Sequence, residues 1–321
     1  MALNYYCVDA ASPYCPCHLA EMDSCLVCSM LQGKELCDCR WQGICVYHEY
    51  IWAGKRVEKE RKKIFARLTG KKVLSDGLAI LKVFVHHGSL LKDFNQPGAF
   101  AFLRAADSPE FYDVPLCVMD VDEENGTLTF ALHIIGPKTR ALARAEKEVI
   151  LRGPYWNGLF GLKYVKSSIG KRWLLVGKGI GQASLVPVAK NLVRGNNRIT
   201  AFLDPGGIKV NLAEEILKEF GVNLSTIDLS NTFARNRIKE IIVGGSVDYV
   251  YSAGSDTQHM LIQNIINKSN RQIPLAISNN HQLCCGEGIC GSCEGLIDGQ
   301  LVHMCKMQLD SKNILRGFKN A

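Results

Sequence analysis

Residues 173–185 read WLLVGKGIGQASL, and this stretch decides the fold of the part of the chain around it. The apolar run Trp173–Val176 is typical of a buried strand, and a helical pattern of apolar residues continues to Val193. A glycine-rich loop between a strand and a helix places free backbone N–H groups and the positive end of the helix dipole where a pyrophosphate binds. The loop residues expected at such a site are Gly177, Gly179, Gly181 and Ala183.

The residues after this loop alternate between strand and helix patterns. Such alternation is typical of a parallel sheet with helices on its faces. The glycine spacing is G-x-G-x-G rather than the G-x-G-x-x-G of the Rossmann fingerprint, which indicates a different dinucleotide-binding family. We expect strands at Ile199–Leu203, Leu224–Ile227 and Tyr249–Ala253 and helices at Leu212–Phe220 and Asp256–Ile266.

Two further polar features lie at the carboxyl ends of these strands, where ligands bind in parallel sheets. Gly254 and Ser255 follow the strand Tyr249–Ala253 and are candidates for a second nucleotide contact. The alternative is an ordinary strand-to-helix turn in which Ser255 caps the next helix. Asp204, after the second strand, is a candidate for a ribose contact or else a solvated loop residue.

Short strand patterns separated by turn signals occupy residues 71–165. Pro97-Gly98 and Asn125-Gly126 are typical turns, and several short strands at this spacing favour a small antiparallel barrel. The expected strands are Leu78–Val85, Ala99–Arg104, Leu116–Val121 and Thr127–Ile134.

The composition limits the class of protein. The chain has 321 residues and is 47% hydrophobic, enough for two or three domains with buried cores. Its net charge of +7 is spread along the sequence, and glutamates interrupt the densest basic run, Lys55–Lys63, so no nucleic-acid partner is expected. No apolar run has the length of a membrane span and the first residues do not resemble a signal peptide, which favours a cytoplasmic protein without a membrane partner.

The fourteen cysteines are concentrated at the two ends of the chain. Eight lie between Cys7 and Cys45 and five between Cys284 and Cys305, with Cys117 alone between these groups. In a reducing compartment such grouping indicates metal or iron–sulfur ligation rather than disulfide bonds. So many thiolate ligands favour a protein of an anaerobe.

The C-terminal cysteines have the spacing of a plant-type [2Fe–2S] site. Cys285, Cys290 and Cys293 follow C-x4-C-x2-C, and Cys305 supplies a fourth ligand from a separate segment. Glycines at 286, 288 and 291 allow the positive φ angles that a tight loop around a cluster needs. We expect Cys284 to be a packed thiol beside the cluster; a structural zinc site is the alternative, although it usually has two C-x2-C pairs.

The N-terminal cysteines lie in a stretch with too few apolar residues for an ordinary core, so a crosslink must hold it. One or two [4Fe–4S] clusters are our preferred interpretation, and structural zinc or disulfide bonds are the alternatives. The candidate ligands are Cys7, Cys15, Cys17, Cys25, Cys28, Cys37, Cys39 and Cys45.

In their order, the barrel pattern, the glycine loop and the C-terminal cysteines resemble the ferredoxin–NADP reductase superfamily over about residues 71–310. They are most similar to the electron-transfer subunits of dihydroorotate dehydrogenase and the small subunits of ferredoxin:NADP transhydrogenase. The family's Pro-Gly-Gln-Phe, Arg-x-Pro-Leu-Ser/Thr and Gly-Pro-x-Gly-Asn-Gly-Phe segments correspond to 97–100, 113–117 and 153–160. The resemblance implies FAD contacts from Pro115, Leu116, Cys117, Gly136, Lys138, Thr139, Gly153, Asn157 and Gly158.

Two departures from the family pattern concern the site itself. Asp113 stands where the family has the arginine that contacts the flavin, and a carboxylate there is electrostatically unfavourable. The family's Cys-Gly-Pro turn next to the nicotinamide is Ala253-Gly254-Ser255 in this chain.

The resemblance implies an electron-transfer flavoprotein subunit that passes electrons between NAD(P)H, FAD and iron–sulfur clusters. The implied partner is a larger flavin or iron–sulfur oxidoreductase subunit, with ferredoxin as a further partner in an electron-bifurcating complex. No residue stands out as a catalytic acid, base or nucleophile, as expected when the cofactors carry the chemistry. A wiring or assembly subunit without nucleotide activity and a zinc-stapled regulatory protein are the alternatives.

The expected order of domains follows from these patterns. It is a cysteine-rich segment (1–50), a connecting helix (51–70), an FAD-binding barrel (71–165), an NAD(P)-binding α/β domain (166–274) and a [2Fe–2S] segment (275–321).

Overall fold

The computed structural model of this chain describes residues 5–39, 43–75, 77–86 and 88–317. The chain divides into two compact units, Lys63–Asn280 and a second unit in which Met1–Lys62 and His281–Ala321 come together.

The helices are α1 (His18–Glu21), α2 (Val46–Trp52), α3 (Gly88–Phe94), α4 (Pro137–Arg144), α5 (Leu162–Lys166), α6 (Leu185–Arg194), α7 (Glu214–Glu219), α8 (Thr232–Val243), α9 (Asp256–Lys268) and α10 (Ser311–Gly317). The strands are β1 (Tyr5–Cys7), β2 (Lys63–Ser75), β3 (Leu78–Phe84), β4 (Phe100–Ala105), β5 (Val114–Asp122), β6 (Thr127–His133), β7 (Glu148–Tyr155), β8 (Leu159–Phe160), β9 (Arg172–Lys178), β10 (Arg198–Asp204), β11 (Asn223–Thr226), β12 (Tyr249–Ala253), β13 (Leu275–Ser278), β14 (Glu294–Ile297), β15 (Gln300–His303) and β16 (Met307–Leu309).

Strands β2 to β7 form a closed antiparallel barrel in the order β2-β3-β6-β5-β4-β7. The predicted barrel is confirmed, and β3, β4, β5 and β6 match the four predicted strands to within two residues at each end. The Asn125-Gly126 turn joins β5 to β6, with Gly126 at φ +65° and the Asn125 N–H donating to Asp122 Oδ1 at 3.0 Å. Turn chemistry and period-two alternation are therefore sufficient to place these strands.

The connecting helix predicted over 51–70 does not form. Helix α2 ends at Trp52, where Gly54 and Lys55 both adopt positive φ angles, and residues from Lys63 onward belong to β2. Lys63 and Arg67, the charged residues of the predicted helix that lie on β2, alternate with buried Ala66 and Leu68. They therefore form the exposed face of a barrel strand.

The second layer of the Lys63–Asn280 unit is a sheet in the order β11-β10-β9-β12-β13-β8. Its strands are parallel except β8, which pairs antiparallel with β13. The predicted parallel sheet is confirmed, while β13, assigned to the cysteine-rich tail, is its fifth strand. Helix α8 was not predicted, although its buried residues Ala234, Ile238 and Ile242 recur at every fourth position.

The barrel and the sheet pack together within one unit. Barrel residues Met119 and Ala131 join the core that contains Leu185 and Val186 of α6. Lys190 of the same helix reaches Asp120 of β5, with Nζ 3.1 Å from Oδ1. The regions predicted as separate domains at 71–165 and 166–274 thus belong to one compact unit.

The other unit combines the two ends of the chain, which the sequence suggested as separate segments. Strand β1 pairs antiparallel with β16, and β14 and β15 form a hairpin. A small core of Ala20, Cys28, Leu31 and Tyr50 lies beneath the N-terminal loops. No helix within the described ranges is long and apolar enough to cross a membrane.

Candidate functional site

The glycine loop lies at the carboxyl end of β9 and leads into α6 through a short turn of 3-10 helix at Gly179–Ser184. A Cβ on Gly177 would lie 2.4 Å from Cδ1 of Leu185, and one on Gly181 would lie 2.7 Å from the backbone of Ala253. Gly179 has φ +56° and open space around it. Two glycines are therefore required by packing, and Gly179 is favoured by its positive φ angle.

The second predicted turn lies beside this loop, because β12 is the neighbour of β9 and Ala253 pairs with Gly177. The Gly254 N–H donates to Ser278 Oγ at 3.3 Å, and Asn280 Nδ2 donates to the Gly254 carbonyl at 2.7 Å. Ser255 caps α9 by accepting from the Gln258 N–H at 3.3 Å, as the alternative interpretation predicted. The predicted loop and turn are thus adjacent at one edge of the sheet.

A buried polar network that sequence reasoning missed supports this turn. His259 is fully buried, with Nδ1 2.9 Å from Ser252 Oγ and Nε2 3.1 Å from Ser278 Oγ. Burial lowers the pKa of His259 to about 4, so the ring is neutral at physiological pH. Gln258 donates to the Val176 carbonyl at 3.1 Å, while its Oε1 has no hydrogen-bond partner among the described residues. In the sequence, these residues could be recognised only as polar residues near the ends of strands. That pattern is too common to predict a buried network.

Asp204, the candidate ribose contact, is fully engaged with the chain itself. Its carboxylate accepts from the N–H groups of Gly206 at 2.8 Å and Leu229 at 2.9 Å. Lys178, inside the glycine loop, also lies 2.9 Å from its Oδ2. The buried Gln182 side chain donates to the Asp204 carbonyl at 2.9 Å. Asp204 therefore stabilises the loop rather than presenting a carboxylate to solvent.

The barrel segment predicted to contact FAD runs along β5. In the ladder between β5 and β4, Pro115 pairs with Phe102, Leu116 with Ala101 and Cys117 with Phe100. Pro115 is exposed, and Leu116 and Cys117 are half-buried. All three residues lie at the beginning of β5, and burial raises the pKa of the Cys117 thiol to about 12.

Asp113, which stands in place of the family arginine, is paired with two arginines from other strands. Arg104 Nη1 lies 2.6 Å from its Oδ1, and Arg152 Nη2 lies 3.1 Å from its Oδ2. The Arg152 guanidinium also stacks over the Phe102 ring at 4.4 Å. Lys138 Nζ is 3.4 Å from the Asp113 carbonyl oxygen. The expected unfavourable carboxylate is thus surrounded by three cations.

The Gly136–Thr139 turn opens α4. Thr139 Oγ1 accepts hydrogen bonds from the N–H groups of Ile135 and Gly136, both at 3.0 Å, and donates to the Gly136 carbonyl at 3.1 Å. The hydroxyl therefore shapes the turn, and Lys138 is the residue of this segment whose charge faces Asp113.

The segment that ends the barrel meets both the Pro97-Gly98 turn and the end of β13. The Gly158 N–H donates to the Gly98 carbonyl at 2.9 Å, and a Cβ on Gly158 would lie 2.7 Å from that oxygen. Asn279 Nδ2 donates to the Asn157 carbonyl at 2.7 Å. A Cβ on Gly153 would lie 3.1 Å from the Phe94 ring, so this glycine serves packing.

Three of the four predicted [2Fe–2S] ligands converge at the C-terminus. The Cys305 thiol is within hydrogen-bonding distance of both Cys285 and Cys293, and this contact lowers the pKa of Cys285 to about 4 and that of Cys293 to about 7. The Glu287 N–H also donates to Cys285 Sγ at 3.2 Å. The predicted positive φ angles of the glycines at 286, 288 and 291 are confirmed, at 75°, 77° and 75°.

Cys290 contacts this group through its backbone, because its N–H donates to the Cys285 sulfur. It is exposed and hydrogen-bonds to Cys284, whose pKa is raised mainly by desolvation and by the Cys290 charge. Cys284 is itself exposed, so the expectation that it is a packed thiol is wrong. Cys284 lies at the start of the glycine-rich loop, where its side chain is open to solvent.

The N-terminal cysteines form close pairs. Cys37 and Cys39 have their sulfurs 3.5 Å apart, and the Cys28 N–H donates to Cys25 Sγ at 3.4 Å. Burial raises the pKa of the Cys7 and Cys15 thiols to about 12, and that of Cys17 also rises. Cys45 stands at the N-terminus of α2.

None of the fourteen cysteines, all of which lie in the described residues, forms a disulfide bond. Within the same ranges, no group of three or more His, Cys, Asp or Glu side chains has the arrangement needed to hold a metal ion.

The chain is similar in sequence to several curated proteins, although no family model matches it. It is 27% identical over 213 residues to the dihydroorotate dehydrogenase B (NAD(+)) electron transfer subunit of Clostridium acetobutylicum, covering 66% of this chain and 82% of that protein. It is 28% identical over 225 residues to the subunit of the same name from Shouchella clausii, covering 68% of this chain and 84% of that protein.

Solved structures share the arrangement of barrel and sheet. The structure of an NADH-dependent reduced ferredoxin-NADP oxidoreductase, from a study of flavin-based electron bifurcation, matches with a TM-score of 0.62 and 22% identity over 80% of this chain and 93% of that chain. The ferredoxin reductase of carbazole 1,9a-dioxygenase matches with a TM-score of 0.51 and 14% identity, covering 68% of this chain and 69% of that chain.

The closed barrel, the parallel sheet and the glycine loop at the edge of the sheet define a protein with the ferredoxin reductase-like fold. Within this class, the chain is similar to the electron transfer subunits of dihydroorotate dehydrogenase B. The resemblance predicted from the sequence is therefore confirmed.

Proposed function

We propose that this chain is an electron-transfer subunit that moves electrons between NAD(P)H, FAD, iron–sulfur clusters and a partner oxidoreductase subunit. The main support for this proposal is that the glycine loop and the Ala253–Ser255 turn lie side by side, at the ends of neighbouring strands of the sheet that packs against the barrel. This arrangement occurs in a chain similar to electron-transfer subunits over about two thirds of its length.

The nucleotide site is formed by the loop and the turn. Gly177 and Gly181 allow the backbone to approach Leu185 and Ala253, and Gly179 leaves space beside the N-terminus of α6. That helix end offers N–H groups and a positive dipole to a pyrophosphate. Gly254 and Ser255 form the wall of the site at the end of β12. The hydrogen bond from the Gly254 N–H to Ser278 Oγ fixes the position of this wall.

The FAD site is formed by the rim of the barrel. Arg104, Arg152 and Lys138 give three positive charges against the single negative charge of Asp113, an excess suited to a diphosphate. FAD, when bound, supplies the exchange between hydride and single electrons. The other residues proposed to line this site are Pro115, Leu116, Cys117, Gly136, Thr139, Gly153, Asn157 and Gly158.

The C-terminal loop fits a [2Fe–2S] cluster in its donor chemistry and backbone. Cys285, Cys293 and Cys305 already converge, a backbone N–H points at one sulfur, and the glycines adopt positive φ angles. Cys290, separated from Cys285 by four residues and from Cys293 by two, is the proposed remaining ligand. For the eight N-terminal cysteines we propose one or two [4Fe–4S] clusters, with zinc as the alternative occupant.

The proposed partner is a larger oxidoreductase subunit carrying flavin or iron–sulfur centres. Support comes from the similar proteins, which are named as subunits of dihydroorotate dehydrogenase B. Ferredoxin is proposed as a further partner, since the structure with the higher similarity is that of a ferredoxin-NADP oxidoreductase. We propose the cytoplasm as the location.

Anaerobic purification followed by quantitation of flavin, iron, sulfide and zinc tests this function. We expect flavin absorption that bleaches on addition of NADH or NADPH, together with iron beyond the content of one [2Fe–2S] cluster. About two irons per chain, without zinc, would contradict the N-terminal centres. Absence of flavin and of bleaching would contradict the proposed nucleotide-dependent activity.

One observation favours a second candidate function, an iron–sulfur wiring subunit without nucleotide activity. The Lys178–Asp204 ion pair lies directly at the glycine loop and engages the carboxylate that was the candidate for a ribose contact. The same purification separates the two functions, because a wiring subunit would contain iron and sulfide but neither flavin nor bleaching by nucleotides.

A further inference from the structure

Four charged side chains form a buried group in the unit that contains both ends of the chain. We call Asp9, Arg61, Glu287 and Lys306 the charge node. Arg61 lies 2.6 Å from Asp9 and 3.1 Å from Glu287, and Lys306 Nζ lies 2.8 Å from Glu287 and also pairs with Asp9. The side chains of Asp9 and Arg61 are 2% exposed, Lys306 is 0% exposed and Glu287 is 17% exposed.

Two members of the charge node belong to the C-terminal cysteine segment. Glu287 lies in the loop between Cys285 and Cys290, and its own N–H donates to Cys285 Sγ at 3.2 Å. Lys306 directly follows Cys305. The node is therefore attached to the backbone that presents these thiols on two separate segments.

The other two members come from the N-terminal part of the chain. Asp9 follows β1, whose pairing sets Cys7 opposite Met307, and the Val8 N–H donates to the Lys306 carbonyl at 2.9 Å. Arg61 lies just before the first barrel strand. The ladder between β1 and β16 thus delivers Asp9 to the segment that contains Cys305.

The charges of the node balance, with two carboxylates against two cations. Buried ion pairs add little stability compared with apolar residues of the same volume, so stability does not account for four charges here. Removal of one member leaves an uncompensated charge in a low-dielectric region, where it acts strongly on any neighbouring group that changes charge. An iron–sulfur cluster changes its charge by one unit when it is reduced.

We propose that the charge node is a positioning device for the C-terminal cysteine loop: it fastens the N-terminal segment to that loop and sets the reduction potential of the cluster held there. Asp9, Arg61, Glu287 and Lys306 are positioning residues, since they act on the cluster through the loop and through their field. The inference rests on the [2Fe–2S] cluster of the proposed function.

The test is a redox titration of the purified full chain, followed by the electron paramagnetic resonance signal of the reduced [2Fe–2S] cluster. Asp9→Asn leaves the node with an excess positive charge, which favours the reduced cluster and raises its midpoint potential. Lys306→Met leaves an excess negative charge and lowers it. The double variant of both substitutions restores neutrality and is expected to return toward the native potential.

Controls separate charge from fold. Lys306→Arg and Asp9→Glu keep the charges and are expected to stay near the native potential. If Asp9→Asn or Lys306→Met fails to retain its cluster, Glu287→Gln or Arg61→Met, respectively, makes the same change of charge in the node and is measured in its place. Lys34→Met removes an exposed ion pair to Asp38 in the same unit and is expected to change nothing, because water screens it.

Equal potentials in Asp9→Asn, Lys306→Met and the native chain would overturn the proposal, and so would shifts of the same sign in both single variants. A native chain without a [2Fe–2S] signal contradicts the proposed function itself. The two failures are therefore distinguishable.

Discussion

Gly181 offers a sharp test of the contact between the glycine loop and the Ala253–Ser255 turn. A Cβ at this position would lie 2.7 Å from the carbonyl carbon and oxygen of Ala253 and 2.8 Å from the nitrogen of Gly254. All three atoms are backbone, so no rotamer change can relieve the overlap. The loop and the turn must move apart in Gly181→Ala, and overpacking of this kind costs about 1–3 kcal/mol.

The strain falls directly on the proposed nucleotide site, because Gly181 and Gly254 lie on its two sides. We expect the free energy of unfolding of Gly181→Ala to fall by about 1–3 kcal/mol. If the same strain opposes ligand binding, the dissociation constant for NADH or NADPH rises about 5- to 150-fold, at a factor of ten per 1.4 kcal/mol.

Urea unfolding and calorimetric titration with each nucleotide measure the two effects. Gly207→Ala is the matched control, since no atom lies within 4 Å of the position its Cβ would take. Its stability is expected to stay within about 0.5 kcal/mol of the native chain. Equal stability of Gly181→Ala and Gly207→Ala would refute the packing argument. Lower stability with unchanged affinity for both nucleotides would refute the placement of the site.

Two further predictions concern the barrel site and the buried histidine. Arg152→Met leaves Asp113 with one arginine partner and is expected to lower the flavin content of the purified chain, measured from its visible absorption. The control Arg172→Met removes an exposed ion pair and is expected to leave the flavin content unchanged. Equal flavin content in both variants would contradict the assignment. His259 has its pKa lowered to about 4 when folded, so the unfolded chain binds its proton first as pH falls. The contribution of the neutral ring to the free energy of unfolding is complete above about pH 6.5. It decreases as the pH falls to about 4, by about 3 kcal/mol at most. His259→Asn is expected to show a correspondingly smaller loss of urea stability between pH 7.5 and 4.5, and an identical loss would count against a neutral buried ring.

The sequence predicted the elements whose signals are local. The glycine loop, the strand Tyr249–Ala253 and the hairpin at Asn125-Gly126 each combine an apolar period with turn residues, and the structure contains all three. Strand β2 was mistaken for a helix because its charged residues fit either period over a short window. Pairing with β3 and β7 decides between the two, and pairing is not visible locally.

The union of the two chain ends was beyond local reasoning for the same reason. Asp9 and Lys306 are separated by 297 positions, and Arg61 and Glu287 by 226. Isolated charged residues in a sequence are most often solvated, so nothing marked these four as buried partners. The antiparallel ladder between β1 and β16 brings Asp9 close to Lys306.

Asp113 shows why a motif alone can give the wrong sign of a site's charge. Its place in the family pattern suggested a barrel rim that repels a diphosphate, yet the register of three strands reverses that conclusion. Phe102 pairs with Pro115 on one side and with Arg152 on the other, so Arg152 stands level with the altered motif across β4. Arg104, two residues further along β4, completes the pairing of Asp113. The carboxylate that replaced an arginine thus holds two arginines in place, and the rim keeps a net positive charge that no single segment encodes.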